Sequence, residues 1–120
     1  MPSGSHILLV SSTLTAYSGI APNYLLYATS KGAIEQMTRV LAKDLGRKNV
    51  LVNCIAPGPT ATELFLEGKS EQLIKAIASS NPFGRLGEVD EIARTVGWLV
   101  GSGNTWVNGQ VVKANGGMAL

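Results

Sequence analysis

One cysteine, one histidine and no long apolar run set the first limits on this 120-residue chain. The lone thiol, Cys54, cannot close an intrachain disulfide, and within Val50-Leu51-Val52-Asn53-Cys54-Ile55 it reads as a small buried hydrophobe. The lone imidazole, His6, has no partner of the kind that makes a histidine catalytic. With no second histidine, carboxylate pair or thiol partner beside Ser12 or Cys54, a metal site or a nucleophile–base pair is excluded. No stretch approaches the ~20 apolar residues that span a bilayer, and the short run at 7–10 lacks the flanks of a signal peptide, so a cytoplasmic location is expected. Charge is sparse: ten basic side chains are scattered among eight acidic ones, and no basic run or aromatic interleaving marks a nucleic-acid or charged-membrane surface. The rest is 45% hydrophobic, the makeup of one globular unit rather than a disordered segment.

Apolar periodicity then divides the chain into alternating strands and helices. Residues 6–11 are short and apolar enough for a strand buried on both faces of a parallel sheet. A loop with Gly19 and Pro22 leads to Asn23, a candidate N-cap. From Tyr24 to Leu45 apolar residues recur at Tyr27, Ile34, Met37, Leu41 and Leu45, which predicts a long amphipathic helix with its charges opposite and Gly46 at its C′ position. Residues 50–55 form a second strand, stopped by Pro57, Gly58 and Pro59. Ser70 caps a short helix from Glu71 to Ala78, and a further helix from Glu88 to Val100 presents Ile92, Val96 and Leu99 before Gly101. Trp98 and Trp106 read as packing residues. Asn108-Gly109 turns the chain into a last strand, Gln110 to Ala114. Strand–helix–strand–helix–strand predicts an α/β fold with three parallel strands and crossover helices, and ligands bind such sheets at the carboxyl ends of their strands.

Three signals converge on that edge. Tyr27 and Lys31 stand four apart on one helix face, where Cβ atoms are about 5–6 Å apart and an ammonium favours the phenolate of its neighbour. A phenol so placed can move protons near neutral pH. Ser11 and Ser12 end the first strand, and Ile55-Ala56-Pro57-Gly58-Pro59-Thr60-Ala61-Thr62 ends the second. One cleft can collect all three.

Carried by Tyr27-Ala28-Thr29-Ser30-Lys31-Gly32-Ala33, Val52-Asn53-Cys54-Ile55-Ala56-Pro57-Gly58, Asn81-Pro82-Phe83-Gly84-Arg85-Leu86-Gly87, Asn108-Gly109-Gln110 and Asn115-Gly116-Gly117, nearly the whole sequence resembles the C-terminal half of a short-chain dehydrogenase/reductase. The resemblance implies a Rossmann-type doubly wound parallel sheet and an NAD(P)-dependent oxidoreductase that interconverts a ketone and a secondary alcohol. Tyr27 would be the proton donor or acceptor, Lys31 would support it and bond the nicotinamide ribose, and Ser12 would hold the substrate oxygen, with Thr13 as the alternative hydroxyl. Pro57, Gly58 and Thr60 would abut the nicotinamide carboxamide with Thr62 nearby, so that the cofactor contacts comprise Tyr27, Lys31, Pro57, Gly58, Thr60 and Thr62. NADP is favoured over NAD. The segment from Glu63 to Asn81 would be a substrate lid, and Leu64, Phe65 and Leu66 would give it an apolar lining.

The family's dinucleotide-binding half is not in the sequence. No Thr-Gly-x-x-x-Gly-x-Gly turn follows a strand, no Asn-Asn-Ala-Gly segment is present, and neither Asn23 nor Asn53 stands in for the family's catalytic asparagine. Residues 1–120 are therefore expected to be a single partial domain, catalytic and lid half only. Two readings stay open at this point: an enzyme acting on a small carbonyl or alcohol substrate, as part of a homo-oligomer formed through helix 24–45, and a truncated, non-catalytic fragment that acts as an oligomerisation module.

Overall fold

The computed structural model describes residues 1–120. Strands β1 (His6–Val10), β2 (Leu51–Pro57) and β3 (Val111–Ala114) form one parallel sheet in the order β1-β2-β3. Helix α1 (Leu25–Gly46) connects β1 to β2, and α2 (Glu63–Leu66), α3 (Glu71–Ala78) and α4 (Val89–Val100) lie between β2 and β3. The register pairs Ile7 with Val52, Val10 with Ile55, Cys54 with Val111 and Pro57 with Ala114. As the central strand β2 is buried throughout its middle, from Val52 to Ala56, because it has a neighbour on each side and helices above its side chains. β1 lies at the sheet edge and is only partly covered, with Val10 about half exposed, so the expectation of a strand buried on both faces does not hold for it.

Two asparagines, the buried Asn53 and the partly covered Asn108, fasten β2 to the turn before β3. Asn53 donates from Nδ2 to the Val107 carbonyl at 2.7 Å and accepts the Gln110 N–H at 3.0 Å, and Asn108 accepts the Val52 N–H at 2.8 Å. These amides satisfy backbone groups that strand β3, starting at Val111 rather than Gln110, leaves outside its ladder. At the other end of β2, Gly58 continues the ladder to the Ala114 carbonyl at 2.9 Å. A Cβ on Gly58 would meet Asn115 Cβ at 2.7 Å and Cα at 2.9 Å, so only glycine lets the two strand ends lie this close.

Helix α1 departs from its predicted form at both ends and on its inner face. It begins at Leu25 after a 3₁₀ turn, Pro22–Tyr24, and Tyr24 rather than Asn23 occupies the N-cap position, with no side-chain cap. Pro22 fixes the entry dihedral, and the turn supplies the first backbone bonds in place of a cap. Gly46 stays helical, and the reversal falls at Asn49, whose φ of 56° is in the left-handed region that asparagine tolerates. The stripe facing the sheet is Glu35, Thr38 and Ala42, two of them polar, while Met37 points outward. Thr38 satisfies its own hydroxyl on the Ile34 carbonyl at 2.8 Å.

The remaining elements follow local chemistry. Thr62 caps α2, a helix the sequence pattern did not anticipate, by accepting the Phe65 N–H at 3.1 Å, and Ser70 caps α3 through the Leu73 N–H at 3.2 Å. α4 starts one residue later than predicted because Glu88 is its N-cap in a reciprocal capping box with Glu91. Glu91 also takes a two-pronged pair from Arg85, at 2.7 and 3.1 Å, and this guanidinium holds the Glu91 carboxyl at about 2. Leu99 is the buried residue of α4, with Ile92 and Val96 partly covered, as the periodicity predicts. Trp98 and Trp106 are not packing residues: they are 54% and 94% exposed. No helix is long and apolar enough to cross a membrane.

Candidate active site

The first two turns of α1 run past the carboxyl end of β1. Lys31 sits one helical turn beyond Tyr27 and donates from Nζ to the Val10 carbonyl at 3.2 Å, tying helix to strand. Its ammonium lies 5.7 Å from the centre of the Tyr27 ring. Tyr24 packs edge-on against that ring, with centroids 6.2 Å apart and planes at 70°, and this aromatic pair fixes the ring while the phenol remains 45% exposed to the cleft.

Opposite this face, the chain leaving β1 makes a tight turn. Ser11 extends the ladder by donating its N–H to the Ile55 carbonyl at 2.8 Å, and Ser12 then caps the 3₁₀ turn Thr13–Thr15, its Oγ accepting the Leu14 N–H at 3.2 Å. That bond uses the Ser12 oxygen as an acceptor and leaves its hydroxyl proton free to donate. Thr13, the alternative hydroxyl, is buried and doubly committed: it donates to the Ala56 carbonyl at 3.0 Å and accepts from Asn115 Nδ2 at 3.1 Å.

The bend after β2 forms the floor. Thr60 donates its hydroxyl to the Gly58 carbonyl at 2.9 Å, and a single bridge to Gly87 pins the segment. Together these elements enclose a half-open cleft of about 920 Å³ whose lining includes Ser12, Tyr27, Lys31, Pro57, Gly58, Thr60 and Thr62. The expected catalytic and cofactor residues thus lie on one cavity, although the Thr62 hydroxyl is engaged as the α2 cap; of the expected lid lining, Leu64 and Phe65 reach it and Leu66 does not. The cleft is largely apolar, walled by Leu14, Leu64, Phe65 and Ile77, and no carboxylate lines it.

Sequence reasoning missed part of this wall. Tyr24 and Tyr17 add aromatic surface, Met118 closes one side, and Lys69, reaching from the segment between α2 and α3, contributes a second cation. Lys69 donates to the Phe65 carbonyl and stacks over the Phe65 ring at 4.2 Å. Tyr24 was within reach of helical spacing, three residues before Tyr27; Tyr17 and Met118 carried no local signal, since only chain folding brings them there. Cys54 is fully buried, and burial pushes its thiol up from the ordinary range, so it is no nucleophile. No cluster of three or more potential metal-binding side chains exists. A smaller cleft of about 400 Å³, near Arg85, Glu91 and Lys113, touches the main one only through Pro59.

A phenol, an ammonium and a hydroxyl are thus gathered at the carboxyl edge of a parallel α/β sheet, the edge at which sheets of the Rossmann-like class bind their ligands. The chain belongs to the short-chain dehydrogenase/reductase family: a family model described as enoyl-(acyl carrier protein) reductase matches residues 1–119. Among curated relatives, the chain is 45% identical to an NADPH-dependent aldehyde reductase-like protein, chloroplastic, of Arabidopsis thaliana, and 46% identical to a short-chain type dehydrogenase/reductase of Picea abies. Both matches cover 95% of the chain but only 42% and 41% of the relatives, so the chain spans less than half the length of the proteins it matches. The crystal structure of the angucycline C-6 ketoreductase LanV with bound NADP superposes with a TM-score of 0.87 at 32% identity, covering 98% of this chain and 45% of that one. The fold is that of the family's Rossmann-like α/β sheet.

Proposed function

We propose that residues 1–120 are the catalytic and lid half of an NADP-preferring short-chain reductase that interconverts a carbonyl compound and its alcohol. The observation that carries this reading is the shared cleft: Tyr27, Lys31 and Ser12 come from two elements separated by a long loop, yet all line it. Tyr27 is the proton donor in reduction and the acceptor in oxidation. Ser12 gives the substrate oxygen a second hydrogen bond, and Lys31 places positive charge on the same face. Hydride is supplied by the reduced nicotinamide when the cofactor is bound. The residues present fit its nicotinamide end: Lys31 would meet the ribose, while Pro57, Gly58 and Thr60 would flank the ring, with Thr62 nearby. NADP is preferred because an NADPH-dependent relative and an NADP-bound structural neighbour are among the similar proteins. The apolar wall and the lack of carboxylates suit an uncharged or anionic hydrophobic carbonyl substrate. Carbonyl rather than alkene reduction is favoured, since two hydroxyl donors on one cavity suit a developing alkoxide.

Titration of the purified chain with NADPH, followed by nucleotide fluorescence, tests the reading. Saturable binding together with carbonyl-dependent loss of NADPH absorbance is expected. A flat titration from a well-folded sample sinks it and leaves the oligomerisation reading.

That second reading has its own observation. Leu26, Ala33, Met37 and Val40 fall on one stripe of α1, opposite the buried Glu35, Thr38 and Ala42, and all four are exposed, Leu26 at 83% and Val40 at 59%. A helix apolar on its outer side invites self-association, so the chain is expected to be dimeric or larger in light scattering, and Val40→Glu to shift it toward monomer. A monodisperse monomer at tens of micromolar, unchanged by the substitution, removes this proposal.

A further inference from the structure

Glu35 is 9% exposed, on the same stripe of α1 as Tyr27 and Lys31, and lines no part of the cleft. A buried carboxyl is costly unless its oxygens are bonded, and no cation pairs with this one. Its partners are two hydroxyls: Ser11 donates to Oε2 at 2.6 Å and Thr15 donates to the same oxygen at 2.5 Å. These are lengths that hydroxyls adopt toward a carboxylate. Each hydroxyl has a weaker alternative, Ser11 toward the Lys31 carbonyl at 3.3 Å and Thr15 toward the Ser12 carbonyl at 3.0 Å. With one proton apiece and the carboxyl oxygen much closer, both hydrogens go to Glu35.

Ser11 and Thr15 bracket Ser12, one residue before it and three after. A single oxygen on α1 therefore grips both sides of the turn that carries the Ser12 hydroxyl. The same helix carries Tyr27 two turns earlier, so the relative placement of the two hydroxyl groups is set by one rigid element. We propose that Glu35 is a positioning residue: it holds the Ser11–Thr15 turn against α1 and thereby aims Ser12 at the substrate oxygen that Tyr27 protonates. Its catalytic consequence rests on the reductase reading above, but the anchoring itself does not.

Two variants and two readouts test this. Glu35→Gln keeps an acceptor oxygen with two lone pairs, whereas Glu35→Leu fills the space and removes it. In the leucine variant, amide exchange at Leu14, Thr15 and Ala16, whose N–H groups bond within the turn, is expected to quicken about tenfold or more while Val52 and Cys54 in β2 stay protected. Carbonyl turnover at saturating NADPH is expected to fall about 10²-fold, since small misplacements cost that much, with the KM for NADPH little changed. The glutamine variant should stay within about threefold of the parent in both readouts. Should the leucine variant not fold, Thr15→Val, which removes one of the two grips, carries the same expectations in reduced size. Unchanged exchange in the turn overturns the proposal, as does a loss of protection spread evenly through β2 in both variants, which marks a merely structural role. An unmodified chain that turns over no carbonyl removes the reductase reading instead, while the exchange pattern still decides the anchoring.

Discussion

Tyr27→Phe is expected to reduce NADPH-dependent carbonyl turnover by roughly 10²–10⁴-fold, the range that a positioned general acid contributes, while folding stability hardly changes. The substitution removes one oxygen and nothing else. The ring keeps its edge-on contact with Tyr24 and its place beside the Lys31 ammonium, and the phenol oxygen makes no hydrogen bond within the chain. At 45% exposure the position is also tolerant, and surface substitutions of this kind usually stay within about 0.5 kcal/mol. Steady-state kinetics beside a thermal melt separate the outcomes. Turnover retained to within tenfold would mean that protons reach the substrate by another route, and the assignment of Tyr27 fails.

The second large effect concerns stability. Asn53→Ala is expected to cost about 2–4 kcal/mol, since it deletes a fully buried amide, strands the Gln110 N–H and leaves the Val107 carbonyl with Asn104 Nδ2 as its remaining donor, a stranded backbone group alone costing about 1–3 kcal/mol. The Asn53 side chain itself is only 2% exposed, so its removal also opens space inside the sheet. Against a total of about 5–15 kcal/mol for an ordinary domain, such a loss brings the folded state near its limit. Urea unfolding provides the measurement. A shift below about 1 kcal/mol would show that the turn before β3 can rearrange and that Asn53 is not the fastener described above.

Much of this architecture was legible because it is local. The β2 run from Val50 to Ile55, its stop at Pro57-Gly58-Pro59 and the cap at Ser70 each follow from residues a few positions apart, and each lies within a residue or two of its predicted place. Tyr27 and Lys31 were legible for the same reason, since a four-residue helical spacing is visible in one dimension. The errors have a common cause as well. Asn23 has the chemistry of a cap but the 3₁₀ turn opened by Pro22 already serves the helix entry, and Gly46 can reverse a chain but Asn49 does so. Trp98 and Trp106 look like core by hydrophobicity, yet no element of the chain packs over them.

Burial of polar groups was the least legible feature. Glu35 counts as solvent-facing in any hydrophobic pattern, and nothing near it in sequence says that Ser11 and Thr15, 24 and 20 positions away, will supply its hydrogen bonds. The choice between Ser12 and Thr13 was of the same type: both are hydroxyls at the same short turn, and the Ala56 carbonyl and Asn115 amide that occupy Thr13 come from β2 and from the residue after β3.

By itself, then, the order of residues determined the alternation of strands and helices and the pairing of phenol with ammonium on one helix face, because periodicity, turn chemistry and caps act over a few positions. Tertiary structure alone decided which hydroxyl stays free, which carboxyl is buried and which aromatic side chains wall the cleft. Those outcomes depend on partners brought together across many residues, and hydrogen-bond satisfaction is settled only when the partners meet.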